Sequence, residues 1–578
     1  MDKLFFKENR KLQIFLMIFW LSFLEKTDAY YISYLIIGIL GIVCLGIEVI
    51  KKNKVYCGRL VNFSSIVFST LSILANYRLF ADIEFPGYYN IYIRSIYKII
   101  CVILAEMGGF FIFQKILIYI VTCPLKNMEI KKNVLIFLKY WLTIQLIYFI
   151  VFFTTNYPGE LSGDSISQIS QFLSGTYSNH HPYYHTQLIH FCFSIGYRLF
   201  NNANAGIAIY NIVQISILSC CFAYVLYTLY CLGYSKKILI CVYWWYILMP
   251  FNIVFSFTVW KDVIWSAMIT FFTTAIIRIL IFKEDEYNAL VTYIVMFISA
   301  IGITLFRSNG FFVFIFTTVI FAFLFWKSYR KILFMFLVVI GISFIMKYPV
   351  LNNLNVAQPD FVESLSIPLQ QVARVIYDEN ELAIEEKELI ENIVQIEDIK
   401  NSYLSYISDP IKNLIRKGGN ANFLEEHKLQ YLQLYISLGV RYPGEYVKAY
   451  VDQTKGYWNA GYDYQRWIIG IAENEFGIER SVMCFELEQL LRVYLHIYTQ
   501  IPILQIFLCI GLYVWGLLGV SIRAISKKNY ISLFSAVPAL MVVVSLLVSS
   551  PVYSEFRYAY SVFLCMPVVI LLSFRKNF

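Results

Sequence analysis

Long apolar runs separated by short polar and basic segments dominate the chain. Runs of roughly 18 or more apolar residues predict helices that span a bilayer. On this pattern we expect an all-α polytopic membrane protein with about fourteen transmembrane helices, near residues 12–24, 30–50, 60–80, 96–122, 133–154, 205–232, 237–258, 263–283, 289–306, 311–326, 331–347, 501–522, 530–548 and 558–574. The first run lacks a small-residue cleavage site and further runs follow at once, so we interpret it as a retained span rather than a signal peptide.

Basic residues give this map an orientation, because Lys and Arg in short loops stay on the cytoplasmic side. With both termini cytoplasmic, the loops that should face the cytoplasm carry most of the basic clusters: Lys51, Lys52, Lys54 and Arg59; Lys126, Lys131 and Lys132; Lys236 and Lys237; Lys327, Arg330 and Lys331; Arg523, Lys527 and Lys528. Residues 156–204 and 348–500 are then predicted to lie on the extracytoplasmic side of the membrane.

The same map predicts four parts. Residues 1–132 form N-terminal transmembrane helices, and residues 133–347 form a transmembrane module with an outer loop at 155–204. Residues 348–500 form a mainly helical extracytoplasmic domain, and residues 501–578 form the C-terminal transmembrane helices.

The composition agrees with a membrane protein and indicates which kinds of partner it binds. The chain is 59% hydrophobic and 15% charged, with a formal net charge of +9. Because the predicted outer domain is acidic, the positive charge reflects orientation in the membrane, and we expect membrane lipids rather than nucleic acid as partners. Most of the twelve cysteines fall inside predicted spans, so no disulfide framework is expected.

The outer loop 155–204 is unusually polar. In "GDSISQISQFLSG" the polar and apolar positions repeat with helical spacing, which predicts an amphipathic helix at the membrane surface, with Asp164, Gln168 and Gln171 towards water and Ile166, Ile169 and Leu173 towards the bundle. Asp164 falls in the first turn, where the helix dipole favours a negative charge. Taken alone, it is equally consistent with a capping residue.

A second short helix is predicted at about 182–200, after "NHHP". Pro182 suits the first helical position, and the turn before it brings His180 and His181 towards Asp164 in one polar pocket. A zinc site built from Asp164, His181 and His185 is conceivable, but no H-E-x-x-H motif or nearby thiolate supports it. A divalent metal is therefore possible but not indicated.

Three predicted outer ends of spans carry cations, which the orientation rule makes unusual there. The residues are Lys261 with Asp262, Arg307 with Asn309, and Glu555 with Arg557. Singly, each cation is explained by snorkelling or by an ion pair. Together they predict an anion at the outer membrane interface, where Arg holds phosphate oxygens in a bidentate manner and Lys acts as a point charge. The anion expected at that depth is a lipid-linked phosphate.

Five motifs resemble a group of bacterial multi-pass proteins that is similar in pattern to C-type (GT-C) membrane glycosyltransferases. They are "YPGELSGDSISQISQFLSGTYSNHHPYYHTQLI", "WKDVIW", "FRSNG", "SIPLQQVARVI" and "SPVYSEFRYAY". The resemblance covers roughly residues 133–574 and leaves the first four predicted spans outside. Asp164 matches the acidic residue of the first large outer loop in such enzymes. The loop lacks an Asp-Asp or Glu-x-Asp pair, which argues against a two-carboxylate or metal-binding site.

The resemblance implies sugar transfer from a polyprenyl-phosphate carrier to an extracytoplasmic glycan or lipid acceptor, without a cofactor. Asp164 is then expected to act as the general base, with inversion at the anomeric carbon. The departing phosphate is expected to be stabilised by Lys261, Arg307 or Arg557. His180 or His181 is expected to bind the phosphate or a sugar hydroxyl, with these two roles left open, and Gln168 lies among the expected substrate-binding residues.

The segment "KGYWNAGYDYQRW" interleaves aromatic residues with amides and carboxylates, a composition that suits a carbohydrate. Trp458 and Tyr462 are therefore predicted to contact sugar, although an interfacial aromatic belt explains the same pattern.

Three other classes stay open at this point. A polysaccharide or lipid transporter without chemistry predicts inverted repeats and polar groups near mid-membrane, whereas the polar groups here gather at one face. Another lipid-linked group transferase is possible, since His180 and His181 are suited to nucleophilic or base roles. A receptor-like protein would leave the polar loop unexplained.

Overall fold

The computed structural model describes residues 10–24, 31–50, 58–79, 91–124, 129–282, 289–461 and 470–575. Within these ranges the regular structure is helical, with isolated β-bridges and no strand. The all-α prediction is therefore confirmed.

The N-terminal helices are α1 (Arg10–Leu24), α2 (Tyr31–Ile50), α3 (Arg59–Ala75) and α4 (Ile91–Thr122). They pack around Trp20 in a hydrophobic cluster of their own, which meets the rest of the chain at Trp515 and Ile522. Gly108 allows the close approach of α4 to α1, because a Cβ there would lie 2.0 Å from the carbonyl oxygen of Leu16. Arg523 fastens the other end of α4, since its guanidinium donates to the carbonyls of Ile120, Val121 and Cys123.

The helices of the central module are α5 (Val134–Thr155), α6 (Gly163–Ser174), α7 (Tyr183–Phe200), α8 (Ala203–Cys231), α9 (Lys236–Leu248), α10 (Pro250–Ser256), α11 (Lys261–Phe282), α12 (Ala289–Leu305), α13 (Gly310–Phe325) and α14 (Arg330–Ile345). The predicted span 237–258 is divided into α9 and α10, which meet at an angle of 54°. Pro250 accounts for the break, because proline suits the first turn of a helix and cannot continue the preceding one.

The predicted extracytoplasmic domain follows a π-helical turn at Met346–Val350. It contains α15 (Leu351–Asn353), a 3₁₀ turn (Phe361–Leu365), α16 (Ser366–Tyr377), α17 (Ile384–Glu391), α18 (Ile396–Ser402), α19 (Asp409–Lys417), α20 (Ala421–Glu426), α21 (Lys428–Arg441), α22 (Pro443–Trp458) and α23 (Phe485–Gln500). Buried aliphatic residues between Val362 and Tyr446 give it a core separate from that of the long helices.

The C-terminal helices are α24 (Pro502–Gln505), α25 (Ile510–Ser526), α26 (Tyr530–Ser549) and α27 (Tyr560–Ser573), with 3₁₀ turns at Ile506–Leu508 and Phe556–Ala559. The segment Pro502–Leu508 and α25 form a second bent pair, at 65°, where one straight span was predicted at 501–522.

The apolar helices support a multi-pass membrane protein but not the predicted number of spans. Among the described residues, seven helices are long and apolar enough to cross a membrane, or up to nine if each bent pair counts as one span. Every predicted span overlaps a helix or a bent pair, but segments such as Ala289–Leu305 and Gly310–Phe325 are too short to satisfy the length criterion. The count of fourteen, and the orientation of the chain, stay predictions.

Backbone pairing holds the outer loop against its neighbours. Residues 160–161 lie between two extended segments, where Glu160 pairs with Phe257 and Val259, and Leu161 with Gly470 and Ala472. Further along, the N–H of Asn179 donates to the carbonyl of Ala357 at 2.7 Å. The loop therefore joins the central module to both ends of the 348–500 region, and this fixes where α6 begins.

Candidate active site

The first turn of α6 is positioned by its cap and by Trp260. Ser162 is the N-cap, its backbone N–H donates to Ser165 Oγ at 3.2 Å, and Trp260 Nε1 donates to Ser162 Oγ at 2.8 Å. Gly175 ends the helix with a φ of 74°, a left-handed conformation that glycine adopts without strain. Because Ser162 performs the capping, the carboxylate of Asp164 is left for other contacts.

Asp164 lies between two cations. Its Oδ2 accepts a hydrogen bond from Arg557 at 3.1 Å and lies 3.8 Å from Lys261 Nζ. The side chain is 38% exposed, and Oδ1 accepts no hydrogen bond from any residue that the structure describes. Partial burial acts to raise the pKa of Asp164, but Lys261 and Arg557 outweigh it and hold the pKa well below its usual range.

Arg557 connects Asp164 to the turn before α27. Its Nε lies 3.7 Å from Glu555 Oε1, and its guanidinium stacks on Trp260 at 4.7 Å and Tyr558 at 5.0 Å from the ring centroids. Tyr457 supports the turn, because its hydroxyl accepts the backbone N–H of Glu555 at 3.1 Å. Two aromatic faces thus fix the guanidinium in a partly dry site, which strengthens its charge interactions.

His181 joins this cluster, whereas the contacts described for His180 are with Ser178 and His181 alone. His181 is buried, with its Nδ1 3.4 Å from Lys261 Nζ. Burial and the neighbouring Lys261 lower the pKa of His181 to about 3, so the imidazole is neutral at physiological pH. His180 is exposed and makes an edge contact with the His181 ring, at 4.8 Å between centroids.

Arg307 is engaged in a buried ion pair. Its NH1 lies 2.7 Å from Asp262 Oδ1, and the Asp262 side chain is 1% exposed. The guanidinium also stacks on Tyr558 at 4.5 Å and Trp265 at 5.1 Å. Tyr558 therefore contacts both Arg307 and Arg557, which brings the "FRSNG" and "SPVYSEFRYAY" segments together. Sequence reasoning treated Arg307 and Asp262 as separate substrate contacts and did not foresee this pair.

Gln168 lies inside the protein, which corrects the prediction that it faces water. Its Nε2 donates to Thr186 Oγ1 at 2.9 Å and lies 3.0 Å from His185 Nδ1. His185 Nε2 is 2.8 Å from the hydroxyl of Tyr210, which donates to Gln214. The predicted amphipathic face is rotated because α6 packs on α7, so that Leu173 is half exposed while Gln168 is buried. This buried chain of hydrogen bonds holds the helix that carries Asp164.

The remaining predicted site residues lie outside the Asp164 cluster or outside the described residues. Asn309 Nδ2 donates to Ser545 Oγ at 2.8 Å, on α26. Trp458 Nε1 donates to Thr454 Oγ1, and its carbonyl accepts from Trp515 Nε1, at the boundary with the N-terminal helices. Tyr462 falls in the range 462–469, outside the described residues.

Sequence reasoning missed Glu160, four residues before Asp164. Glu160 is fully buried, Thr258 Oγ1 donates to its Oε2 at 3.0 Å, and Oε1 has no hydrogen-bond partner among the residues described. Burial raises the pKa of Glu160 well above its usual range. No periodic signal marks this position, since Glu160 lies in the extended stretch before α6. Trp260 and Tyr558 were also missed, because their role depends on stacking between segments that are distant in the sequence.

In the described part of the chain, no group of three or more His, Cys, Asp and Glu side chains is arranged to hold a metal ion. Asp164, His181 and His185 do not form such a group, because His185 points into the hydrogen bonds with Gln168 and Tyr210.

The fold and this site define the chain as a multi-pass helical membrane protein with an ion-paired cluster where short loop helices meet the ends of long helices. The chain belongs to the "Family of unknown function (DUF6020)", whose model matches residues 128–577. No curated protein matches it, and no solved structure does. The matched range begins just before α5, so that α1 to α4 lie outside the family region.

Proposed function

We propose that the protein is a glycosyltransferase that moves a sugar from a polyprenyl-phosphate carrier to an extracytoplasmic glycan or lipid acceptor. The observation that carries the proposal is the state of Asp164. One carboxylate oxygen contacts two cations, while the other is free of hydrogen bonds from the described residues in a side chain that is 38% exposed. Such a group is accessible to an acceptor hydroxyl and lies beside the charges that a phosphate requires.

Lys261 and Arg557 are the proposed phosphate-binding residues. A lipid phosphate that approaches them competes with Asp164 for the same N–H donors, and charge-assisted bonds from Arg and Lys to phosphate are strong. In this proposal Arg307 does not contact the phosphate directly. It supports the site through its stacking on Tyr558 and its ion pair with Asp262. As the cations turn to the phosphate, the pKa of Asp164 rises towards its ordinary range, because the favourable charges that lowered it are shared with another anion.

The proposed reaction then follows with Asp164 as the general base. Oδ1 accepts the proton of the acceptor hydroxyl, and the hydroxyl oxygen forms a bond to the anomeric carbon from the face opposite the phosphate. The bond between that carbon and the phosphate oxygen breaks, and the electron pair leaves with the polyprenyl phosphate. Lys261 and Arg557 stabilise the charge on the leaving phosphate. His181, which is neutral beside Lys261, forms a hydrogen bond with the sugar or the phosphate. His180 is exposed at the edge of the Asp164 cluster.

In this proposal the cluster lies on the extracytoplasmic face of the cell membrane, in a GT-C-like arrangement of about fourteen spans with both termini cytoplasmic. The short apolar helices Ala289–Leu305 and Gly310–Phe325 are then spans in spite of their length. Support comes from the basic loops, such as Lys236 with Lys237 and Lys327 with Lys331, which come at the starts of α9 and α14 and alternate along the chain with the loops of the cluster.

The test is transfer from radiolabelled polyprenyl-phosphate sugars by the purified chain in nanodiscs, with release of polyprenyl phosphate as the readout. Asp164→Asn keeps the size and hydrogen-bonding capacity of the side chain but removes the base. We expect release to fall by on the order of 10²-fold or more, with the melting temperature nearly unchanged.

Asp378→Asn is the matched control. Asp378 is 29% exposed and pairs with Arg374 at 2.6 Å, away from the Asp164 cluster. This variant should retain wild-type release. Equal release by the wild-type protein and Asp164→Asn would rule out the base assignment, and a collapsed melting temperature in Asp164→Asn would assign a structural role to the carboxylate.

A further inference from the structure

The 348–500 region contains an apolar cavity of about 380 Å³ that the proposed reaction does not use. Its walls come from the 3₁₀ turn Phe361–Leu365 and from α16 to α21, and they are apolar apart from Lys428 and the hydroxyl groups of Tyr431 and Tyr435. Both tyrosine hydroxyls are occupied, because Tyr431 donates to the carbonyl of Leu389 and Tyr435 to Gln371 Oε1. The cavity therefore presents hydrocarbon and no free hydroxyl.

The apolar wall of this cavity contacts water unless a nonpolar group covers it, and apolar surface in contact with water is unfavourable. Ligand pockets in proteins have volumes from about 300 Å³ upward, so a ligand is a reasonable occupant. A cavity near the lower end of that range fits one hydrocarbon chain of fatty-acyl size and not a complete polyprenyl chain.

One cation lies at the mouth of the cavity. Lys428 is exposed, and no carboxylate within the described residues forms an ion pair with it. The exposed Leu429 and Leu432 also line the cavity, and Ile436 and Val440 continue the same face of α21 outward at helical spacing. An apolar chain that enters over this face brings its polar end to Lys428.

We propose that the cavity binds a single fatty-acyl chain of an anionic amphiphile, with the head group at Lys428. The site is separate from the Asp164 cluster and does not depend on sugar transfer. A lipid of the surrounding leaflet supplies the chain, and the apolar face of α21 provides the route into the domain. When the acyl chain is bound in the cavity, the core of the 348–500 region is in direct contact with a membrane lipid.

Photo-crosslinking of the delipidated full-length protein with a diazirine-bearing palmitate tests this site. We expect labelled peptides from residues 361–435, competed by unlabelled palmitate and not by polyprenyl phosphate. Lys428→Glu should weaken palmitate labelling about 10-fold by removing an ion pair and adding a like charge, with Lys417→Glu, an exposed lysine on α19 outside the lining, as its control.

Filling the cavity gives a second arm. Val372→Trp should reduce labelling at least 10-fold, whereas Val447→Trp, which is exposed on α22 and neither lines the cavity nor belongs to the apolar face of α21, should leave it unchanged. If Val372→Trp fails to fold, the mapped peptides and Lys428→Glu decide the outcome. Labels confined to the long apolar helices, or competition by polyprenyl phosphate alone, would overturn the proposal.

Discussion

Asp164 and Asp452 are both carboxylates surrounded by cations, but their surroundings differ. Asp452 is 1% exposed and is contacted by Arg78 at 2.9 Å, Lys455 at 3.1 Å and the Tyr77 hydroxyl at 2.7 Å. Asp164 is 38% exposed, its contacts are longer, and both fall on one oxygen. The first carboxylate is saturated with donors, and the second keeps an oxygen for an incoming group.

The position of each cluster explains the difference. Asp452 lies on α22 and joins it to residues 77–78 after α3 and to Arg374 on α16, so three parts of the chain meet at one buried carboxylate. Asp164 lies at the start of a short helix, where the protein is open to water. Similar charges therefore stabilise a junction in one place and, in our proposal, form a phosphate-binding site in the other.

Asp452→Asn should have the largest effect on stability. Asp452 is contacted by three cations, and removing one partner of a buried ion pair typically costs about 3–5 kcal/mol of unfolding free energy. Asp164, which is 38% exposed, should lose less unfolding free energy on the same change, because water partly screens its ion pairs. Denaturant or thermal unfolding of both variants in one detergent measures this contrast. Equal losses of stability would remove the distinction between the two carboxylates.

Lys261→Ala should weaken binding of the lipid phosphate by about 1.5–3 kcal/mol, the usual value of a hydrogen bond to a charged group. Lys455→Ala is the matched variant, because Lys455 is 15% exposed and pairs with Asp452, whereas Lys261 is 16% exposed and pairs with Asp164. It should lower the melting temperature and leave affinity unchanged. Titration of each protein with a polyprenyl monophosphate gives the two affinities. Comparable losses of affinity would contradict the assignment of Lys261.

The pH dependence of the unfolding free energy should also differ between the Asp164 cluster and the Asp452 cluster, but by less than the effects above. The pKa of His181 is lowered to about 3 in the folded protein, so below pH 6.5 the unfolded chain binds a proton that the folded one does not. Stability from this residue is therefore lost as the pH falls from about 6.5 towards 3, by roughly 1–2 kcal/mol at pH 5.5. The two aspartates have lowered pKa values, and their contribution is lost only below pH 3.8.

His181→Gln should reduce the loss of stability between pH 7 and 5 without removing it, since burial also lowers the pKa of His185 to about 3. The raised pKa of Glu160 makes its contribution to stability increase as the pH falls, opposite to that of the histidines. This contribution is the same in the wild-type protein and in His181→Gln. Melting curves of the two proteins across this interval give the difference. An identical slope would show that His181 is protonated in the folded state.

The sequence predicted the helices well where apolar runs were long and capping residues were clear. The helix expected at 182–200 is observed at Tyr183–Phe200, and Asp164 lies in the first turn of α6 as expected. Helical periodicity could not tell that α6 packs against α7, and this contact buries Gln168. It also could not reveal the break before Pro250, where tertiary packing decides whether one span continues or bends.

Most of the pairing within the site was beyond sequence reasoning. The unusual cations were identified from orientation alone, but Arg307 with Asp262 and Arg557 with Asp164 are contacts between residues far apart in the chain. Asn309 and Trp458 were selected because of their neighbours in sequence, and they bond to other helices instead. Local patterns thus indicated which residues were unusual, and only the fold assigned their partners.

The central claim, that Lys261 and Arg557 exchange Asp164 for a lipid phosphate, is tested most directly by a cryo-EM structure with bound polyprenyl monophosphate. We predict phosphate density in contact with Lys261 Nζ and the Arg557 guanidinium, with the 3.1 Å contact between Arg557 and Asp164 lengthened or lost. Head-group density elsewhere, with the pair of Arg557 and Asp164 intact at full occupancy of the lipid, would contradict the account.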